Sequence, residues 1–206
     1  MNKKFYLLEK TRQLEIINAG FEIFGKYDYK HASTDLIAKR AGMSKGLLFF
    51  YFKNKMTFYL FLFEYAVTAI RDSVEASSDK DSHDFFEVIE GSIKGKAVVL
   101  SQMPYAFKFM VMALHQKDER LKVVLNERFK ASHLSSEQEM LSRINASKFR
   151  EDISPEHILE IFGYLLDGYI QNKLANNAEI QLEEMMAQYE LWSKLLKRAA
   201  YKTESD

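Results

Sequence analysis

Cysteine is absent from the 206 residues. That removes disulfides, thiol nucleophiles and cysteine-ligated metal sites, and it is compatible with the reducing cytoplasm, which is the expected location. Proline occurs twice and glycine eight times, too few for a turn-rich β fold, so long uninterrupted helices are expected. The longest apolar run, around residues 58–63, is far too short to span a bilayer, and the opening MNKKFYLLEK lacks the apolar core of a signal peptide. No glycine-rich phosphate loop and no His-x-x-x-His pair occurs. The five histidines (His31, His83, His115, His133, His157) are dispersed, and the adjacency of Ser132 and His133 reads as coincidence within a charged helix. Catalysis, metal, cofactor and membrane are therefore not expected. What is present is a 47% hydrophobic chain, too apolar for disorder and long enough for one large or two small domains with a real core.

The net charge of zero conceals an asymmetry. Residues 1–60 hold eleven Lys/Arg against five Asp/Glu, a balance of +6, so the remainder carries −6. A basic head on an acidic body is the footprint of a small nucleic-acid-binding domain joined to something else. Within that head, STDLIAKRAGMSKGLLFFYFKNK (residues 33–55) reads as two short helices joined by a tight turn. Ser33 and Thr34 form a capping pair, Leu36, Ile37 and Ala41 supply a buried face, and Gly42 tolerates the left-handed backbone that ends a helix. Ser44 caps a second helix over 45–51. This is the form of a helix-turn-helix, whose second helix enters the DNA major groove.

The rest of the chain reads as helices only. Residues 8–25 carry Leu14, Ile17, Phe21 and Phe24 on one stripe. A long apolar helix begins at Lys55 and ends in the polar SVEASSDKDS around 73–82. Further segments follow at 85–101, 105–115 and 119–144, the last with Leu121, Leu125, Phe129, Leu134 and Leu141 as apolar positions. Pro104 marks a break. Ser154-Pro155-Glu156 starts a helix that reaches about Ala175, and 179–200 forms the last one, with Trp192, Leu195 and Leu196 on its apolar side.

Residues 10–60 resemble the TetR family of bacterial transcription regulators. The resemblance rests on Ser33-Thr34, Ile37-Ala38, Ala41-Gly42-Met43-Ser44, Gly46, Leu48-Phe49, Tyr51-Phe52 and Lys55 at the family's spacing. It implies an all-α protein: a three-helix DNA-binding domain over 1–54, then a larger helical ligand-binding and dimerisation domain over 55–206. It also implies roles. Ser33 and Thr34 face a phosphate at a helix N-terminus. Lys45, Gly46 and Leu47 face base edges, where lysine can donate to guanine and leucine can meet a thymine methyl. Tyr51 reaches DNA with its hydroxyl, and Lys55 holds a phosphate. Phe49 stands where the family usually has tyrosine, so one phosphate-seeking hydroxyl is lost.

The expected function is a ligand-responsive repressor binding a double-stranded, pseudo-palindromic operator as a homodimer. The alternative is a helical ligand-binding or adaptor protein without DNA binding, motivated by Phe49 alone. A lipophilic effector is expected in an elongated apolar cavity walled by Phe86, Ile89, Phe107, Met110 and Tyr164, with His115 as a polar anchor. The −6 body favours a neutral or cationic lipophile over a highly charged acyl-nucleotide, unless a patch of Lys94, Lys96 and Lys108 reverses that. The last two helices, through Ile161, Leu165, Trp192, Leu195 and Leu196, are expected to pair with their symmetry mates.

Overall fold

A computed structural model describes residues 1–77, 79 and 81–202; the side chains of Pro104 and residues 131–136 fall outside that description, and with them the expectations for Ser132, His133 and Leu134. A short 3-10 turn, Lys3–Leu7, precedes nine α-helices among the described residues: α1 Lys10–Lys26, α2 Thr34–Arg40, α3 Lys45–Phe52, α4 Lys55–Ser77, α5 Phe85–Gln102, α6 Pro104–Leu114, α7 Glu119–Ser142, α8 Pro155–Ala175 and α9 Leu182–Ala200. Among the described residues the one ladder-like feature is an isolated antiparallel bridge between Phe149 and Tyr201.

The helices form two compact units. The first comprises Met1–Asp72 and Val99–Lys130, the second Ser73–Val98 and Ala131–Asp206. α4, α5 and α7 each run from one unit into the other. This division differs from the boundary expected at residue 54. The three N-terminal helices are not closed on themselves, because α1 lies along α6. At Gly25 an added Cβ would stand 3.1 Å from the Phe109 backbone nitrogen, and the Phe21 and Phe109 rings meet at 5.2 Å.

The core of the first unit is an aromatic cluster. Phe52 and Phe58 rings lie 4.5 Å apart, Tyr59 and Phe109 4.8 Å, and Phe24 and Tyr59 4.9 Å. Such tilted and edge-on pairs add to the area they bury. The Tyr59 hydroxyl, whose pKa burial pushes far up, accepts from Gln116 at 3.4 Å. α1 is centred on Ile17, Gly20 and Phe24, with Ile16 and Ile23 beside them, so Leu14 falls off the stripe and is exposed, contrary to expectation. Leu36 is likewise exposed, and Ala38 takes its place beside Ile37 and Ala41. The helix period separates Leu36 from Ala41 by five residues, more than one face can hold.

The second unit closes around Phe85, Phe86, Ile89, Phe149, Ile158, Phe162 and Tyr189. Asp84 starts α5 by accepting from the Phe86 and Glu87 backbone N–H groups at 3.1 and 3.3 Å. Its other oxygen accepts from Lys148 at 2.9 Å, and Lys197 stands 3.7 Å away. One carboxylate thereby joins the start of α5, the turn before α8 and the end of α9.

Candidate nucleic-acid interface and effector-binding residues

The helix-turn-helix is built as the caps dictate. Ser33 Oγ accepts from Leu36 N–H at 3.3 Å, and Thr34 is the first helical residue rather than a second cap. α2 ends in a Schellman motif: Met43 N–H donates to Ala38 O at 2.9 Å and Gly42 N–H to Lys39 O at 3.1 Å. That motif needs a left-handed residue, and Gly42 supplies it at φ +59°. Arg12 donates to the Gly42 carbonyl at 3.0 Å, fastening the turn to α1. Ser44 Oγ then accepts from Leu47 N–H at 3.1 Å and opens α3.

α3 has two distinct faces. Leu48, Tyr51 and Phe52 are buried, while Lys45, Gly46, Leu47 and Phe50 are exposed and Phe49 lies between. Lys45 is held at 2.8 Å by Asp35, both partners exposed; such a pair is worth little and yields readily to a base or phosphate. Tyr51 departs from expectation. Only 8% exposed, it packs edge-on against Phe5 at 5.9 Å, and Phe50 is the aromatic side chain turned outward. The cause is the N-terminal segment, which covers this part of α3.

Lys55 is also drawn inward. Its amine donates to the Lys30 carbonyl at 3.3 Å and sits 4.8 Å above the Tyr29 ring. Burial lowers its pKa, with Asp28 opposing. To meet a phosphate it must leave Tyr29.

Lys53 was not legible from sequence as a special residue. It joins α3 to α4 at φ 63°, ψ −54°, with Asn54 N–H donating back to Phe52 O at 2.7 Å. This is a γ-turn of the rare, strained kind, and it turns an exposed lysine outward at the end of α3. Strain of this sort collects at functional positions. The only sequence signal was the Lys-Asn-Lys run itself.

The residues expected to wall an effector cavity are divided between the two units. Phe86 and Ile89 are buried in the second unit's core. Phe107, Met110 and His115 belong to the first, where the Val111 carbonyl accepts from His115 Nδ1 at 3.1 Å. Tyr164 is corrected: it is 68% exposed on α8, and its hydroxyl donates to Glu160 at 2.5 Å. A cleft of about 400 Å³ does lie in the first unit, lined by Arg12, Glu15, Asn18, Arg40 and Gly42 among others. It is polar, and its arginines pair with Glu15 and Glu22, each at 2.6 Å, so it is not a lipophile site.

Of the expected basic patch, Lys94 is paired with Glu90 at 2.5 Å. Lys96 differs. It stands on the α5 stripe that carries Ile89, Ile93 and Leu100, and among the described residues no acid or hydrogen-bond acceptor meets it. Its side chain is exposed on the helix. A cation so placed lacks an anion.

The dimerisation residues separate into two groups. Trp192 and Leu196 are partly buried against their own unit's core, Trp192 packing edge-on to Tyr169 at 6.3 Å, so they do not turn freely outward as expected. Ile161 and Leu195, by contrast, are exposed, Leu195 at 56%. Helical period places Ile161, Tyr164, half-buried Leu165 and Gly168 together on α8, where nothing lies within 4 Å of a Cβ built at Gly168.

A capped helix-turn-helix with a basic head, carried on an all-helical body, defines a DNA-binding transcription regulator. The chain matches, over residues 16–60, the family model described as bacterial regulatory proteins, tetR family. It is 23% identical, over 86% of its length and 78% of the relative's, to the fatty acid metabolism regulator protein of Bacillus subtilis. Its fold is similar to that of the fatty acid degradation regulator FadR from Bacillus halodurans, at TM-score 0.69 and 20% identity over 92% of this chain and 95% of that one. It is also similar to FadR from Bacillus subtilis in complex with stearoyl-CoA, at TM-score 0.66 and 22% identity over 89% and 96%.

Proposed function

We propose that this chain is a cytoplasmic repressor that binds a pseudo-palindromic operator as a homodimer and releases it when a long-chain acyl effector enters the helical body. The observation that carries the DNA-binding half is the outward face of α3, with Lys45, Gly46 and Leu47 exposed behind the Ser44 cap. Two such helices would enter successive major grooves about 34–36 Å apart, or farther if the dimer is splayed. Phe49 is the sole motive for a reading without DNA binding, and the retained Lys45 and the added outward Lys53 oppose it.

Dimerisation is supported by the exposed apolar face of α8 and by Leu191 and Leu195 on α9. Open space at Gly168 permits a partner helix to approach closely. A two-fold interface made from the same patch on both copies suits such a face.

The effector class draws on the stearoyl-CoA complex of the Bacillus subtilis relative and on Lys96. The acidic body disfavours anions in its general field, but an exposed lysine that no acid holds, on the stripe of α5 that carries Ile89 and Ile93, would meet the acid or phosphate end of an amphiphile. α4 begins three residues after α3 and continues into the second unit. A ligand that prefers one position of α4 would therefore bias the spacing of the two DNA-reading heads.

The test is an electrophoretic mobility shift on DNA from the chain's own promoter region, with and without stearoyl-CoA or stearate. Retarded DNA that is released by either acyl compound is expected. Lys96→Gln should raise the acyl concentration needed for release roughly tenfold, as loss of one charge-assisted contact predicts, without changing DNA affinity. Binding that no acyl compound affects would leave the effector reading without support.

A further inference from the structure

The N-terminal segment, residues 2–8, is held against the recognition helix by contacts that leave its cations free. Asn2 N–H donates to the Tyr51 carbonyl at 2.7 Å. Phe5 is fully buried, its ring 5.0 Å from Phe52 and 5.2 Å from Phe61. At the other end, Gln13 donates to the Leu8 carbonyl at 2.7 Å. The segment is thereby anchored at one end to α3, at the other to α1, and in the middle by Phe5.

The segment also presents charge and apolar surface to solvent. Lys3 and Lys4 are exposed, and among the described residues neither meets an acid. The Lys4 amine stands 5.6 Å from the centre of the Phe50 ring, and Phe50 shares the outward face of α3 with Gly46 and Leu47. Tyr6 is exposed, and Leu7 is 83% exposed beside it.

We infer that this segment is a second DNA-contacting element, in which Lys3 and Lys4 bind backbone phosphates beside the groove that α3 enters. The inference rests on α3 being the recognition helix. N-terminal residues of a recognition helix read base edges, so its C-terminal end, where Phe50 and Lys4 meet, points toward the phosphates that border the groove. Phosphate contacts from a rigid element fix the register of the reading helix while carrying no sequence information themselves. Because the segment is ordered before binding, little conformational entropy is lost when it engages. The same anchoring accounts for buried Tyr51: the segment that covers its ring brings two amines to the same edge.

The experiment compares the full chain with Lys3→Gln/Lys4→Gln on promoter-region DNA and on a scrambled duplex of equal composition, over a range of salt. Both positions are exposed, so the thermal melting midpoint should not move. The double variant should lose roughly tenfold in affinity per lysine at about 0.1 M salt on both duplexes, and the slope of log affinity against log salt should fall by about 2. Ethylation of phosphates flanking the site should interfere with the parent and no longer with the variant. An unchanged slope and unchanged interference, in a protein whose Lys45→Ala variant still loses base preference, would overturn the second element alone. Absence of salt-dependent binding by the parent would overturn the recognition-helix reading together with it.

Discussion

Lys53 carries, at the scale of one residue, a backbone cost and an outward charge together. Its positive φ costs a side chain free energy that glycine would not lose. Lys53→Gly should therefore raise the stability of the protein by about 1 kcal/mol, seen as a higher melting temperature, while weakening DNA binding. A variant that gains stability and binds DNA as before would assign the lysine no role beyond the turn. Asp84 is the opposite case, a residue whose charge serves the fold. Burial, at 6% exposure, pushes its carboxyl up, but Lys148, the α5 N-terminus and Lys197 together outweigh that and hold it below its ordinary value of 3.8. A folded-state pKa below the unfolded one contributes stability that is present above the unfolded value and lost as pH falls through the folded one. Unfolding free energy should thus drop on acidification below about pH 4, the ordinary aspartate range. Asp84→Asn should be about 1–3 kcal/mol less stable near neutral pH, since it leaves two lysines without their counter-charge, and should lack that part of the acid transition in urea melts.

Among the elements, α2 and α3 depend on their caps more than on their own length. At seven and eight residues they are too short to persist alone in water. Ser44→Ala removes the acceptor for Leu47 N–H, and should cost about 1 kcal/mol of stability and soften the helix end proposed to face base edges. Lys45→Ala, in contrast, should leave stability unchanged within about 0.5 kcal/mol and relax preference at one base position of the operator, read from a binding-site selection. If Lys45→Ala instead weakens all sequences equally, the lysine meets a phosphate rather than a base.

For the whole molecule, the exposed apolar faces of α8 and α9 are the surfaces proposed to bring two heads together. Leu195→Arg places a charge on the proposed partner-facing side without touching the core that Trp192 and Leu196 help to build. It should yield a monomer in light scattering and lose operator binding at the same time, because a half-site alone holds only one head. A variant that remains dimeric at low micromolar concentration would move the interface elsewhere.

The helix-turn-helix was legible in the sequence because its signals are local. Caps, a left-handed glycine and a basic head act within a few residues, and Ser33, Gly42 and Ser44 do as their chemistry dictates. The all-helical class followed from scarce proline and glycine, and the start of α8 from Ser154-Pro155. Tertiary structure decided the rest. Leu14 and Leu36 are apolar at helical spacing, but which neighbours a helix meets determines the side it buries. Tyr51 and Lys55 match a DNA-contacting pattern, yet Phe5 and Tyr29, distant in sequence, turn them inward. Contacts between segments far apart in the chain carry no signature in either segment alone, and those contacts decided which side chains face outward.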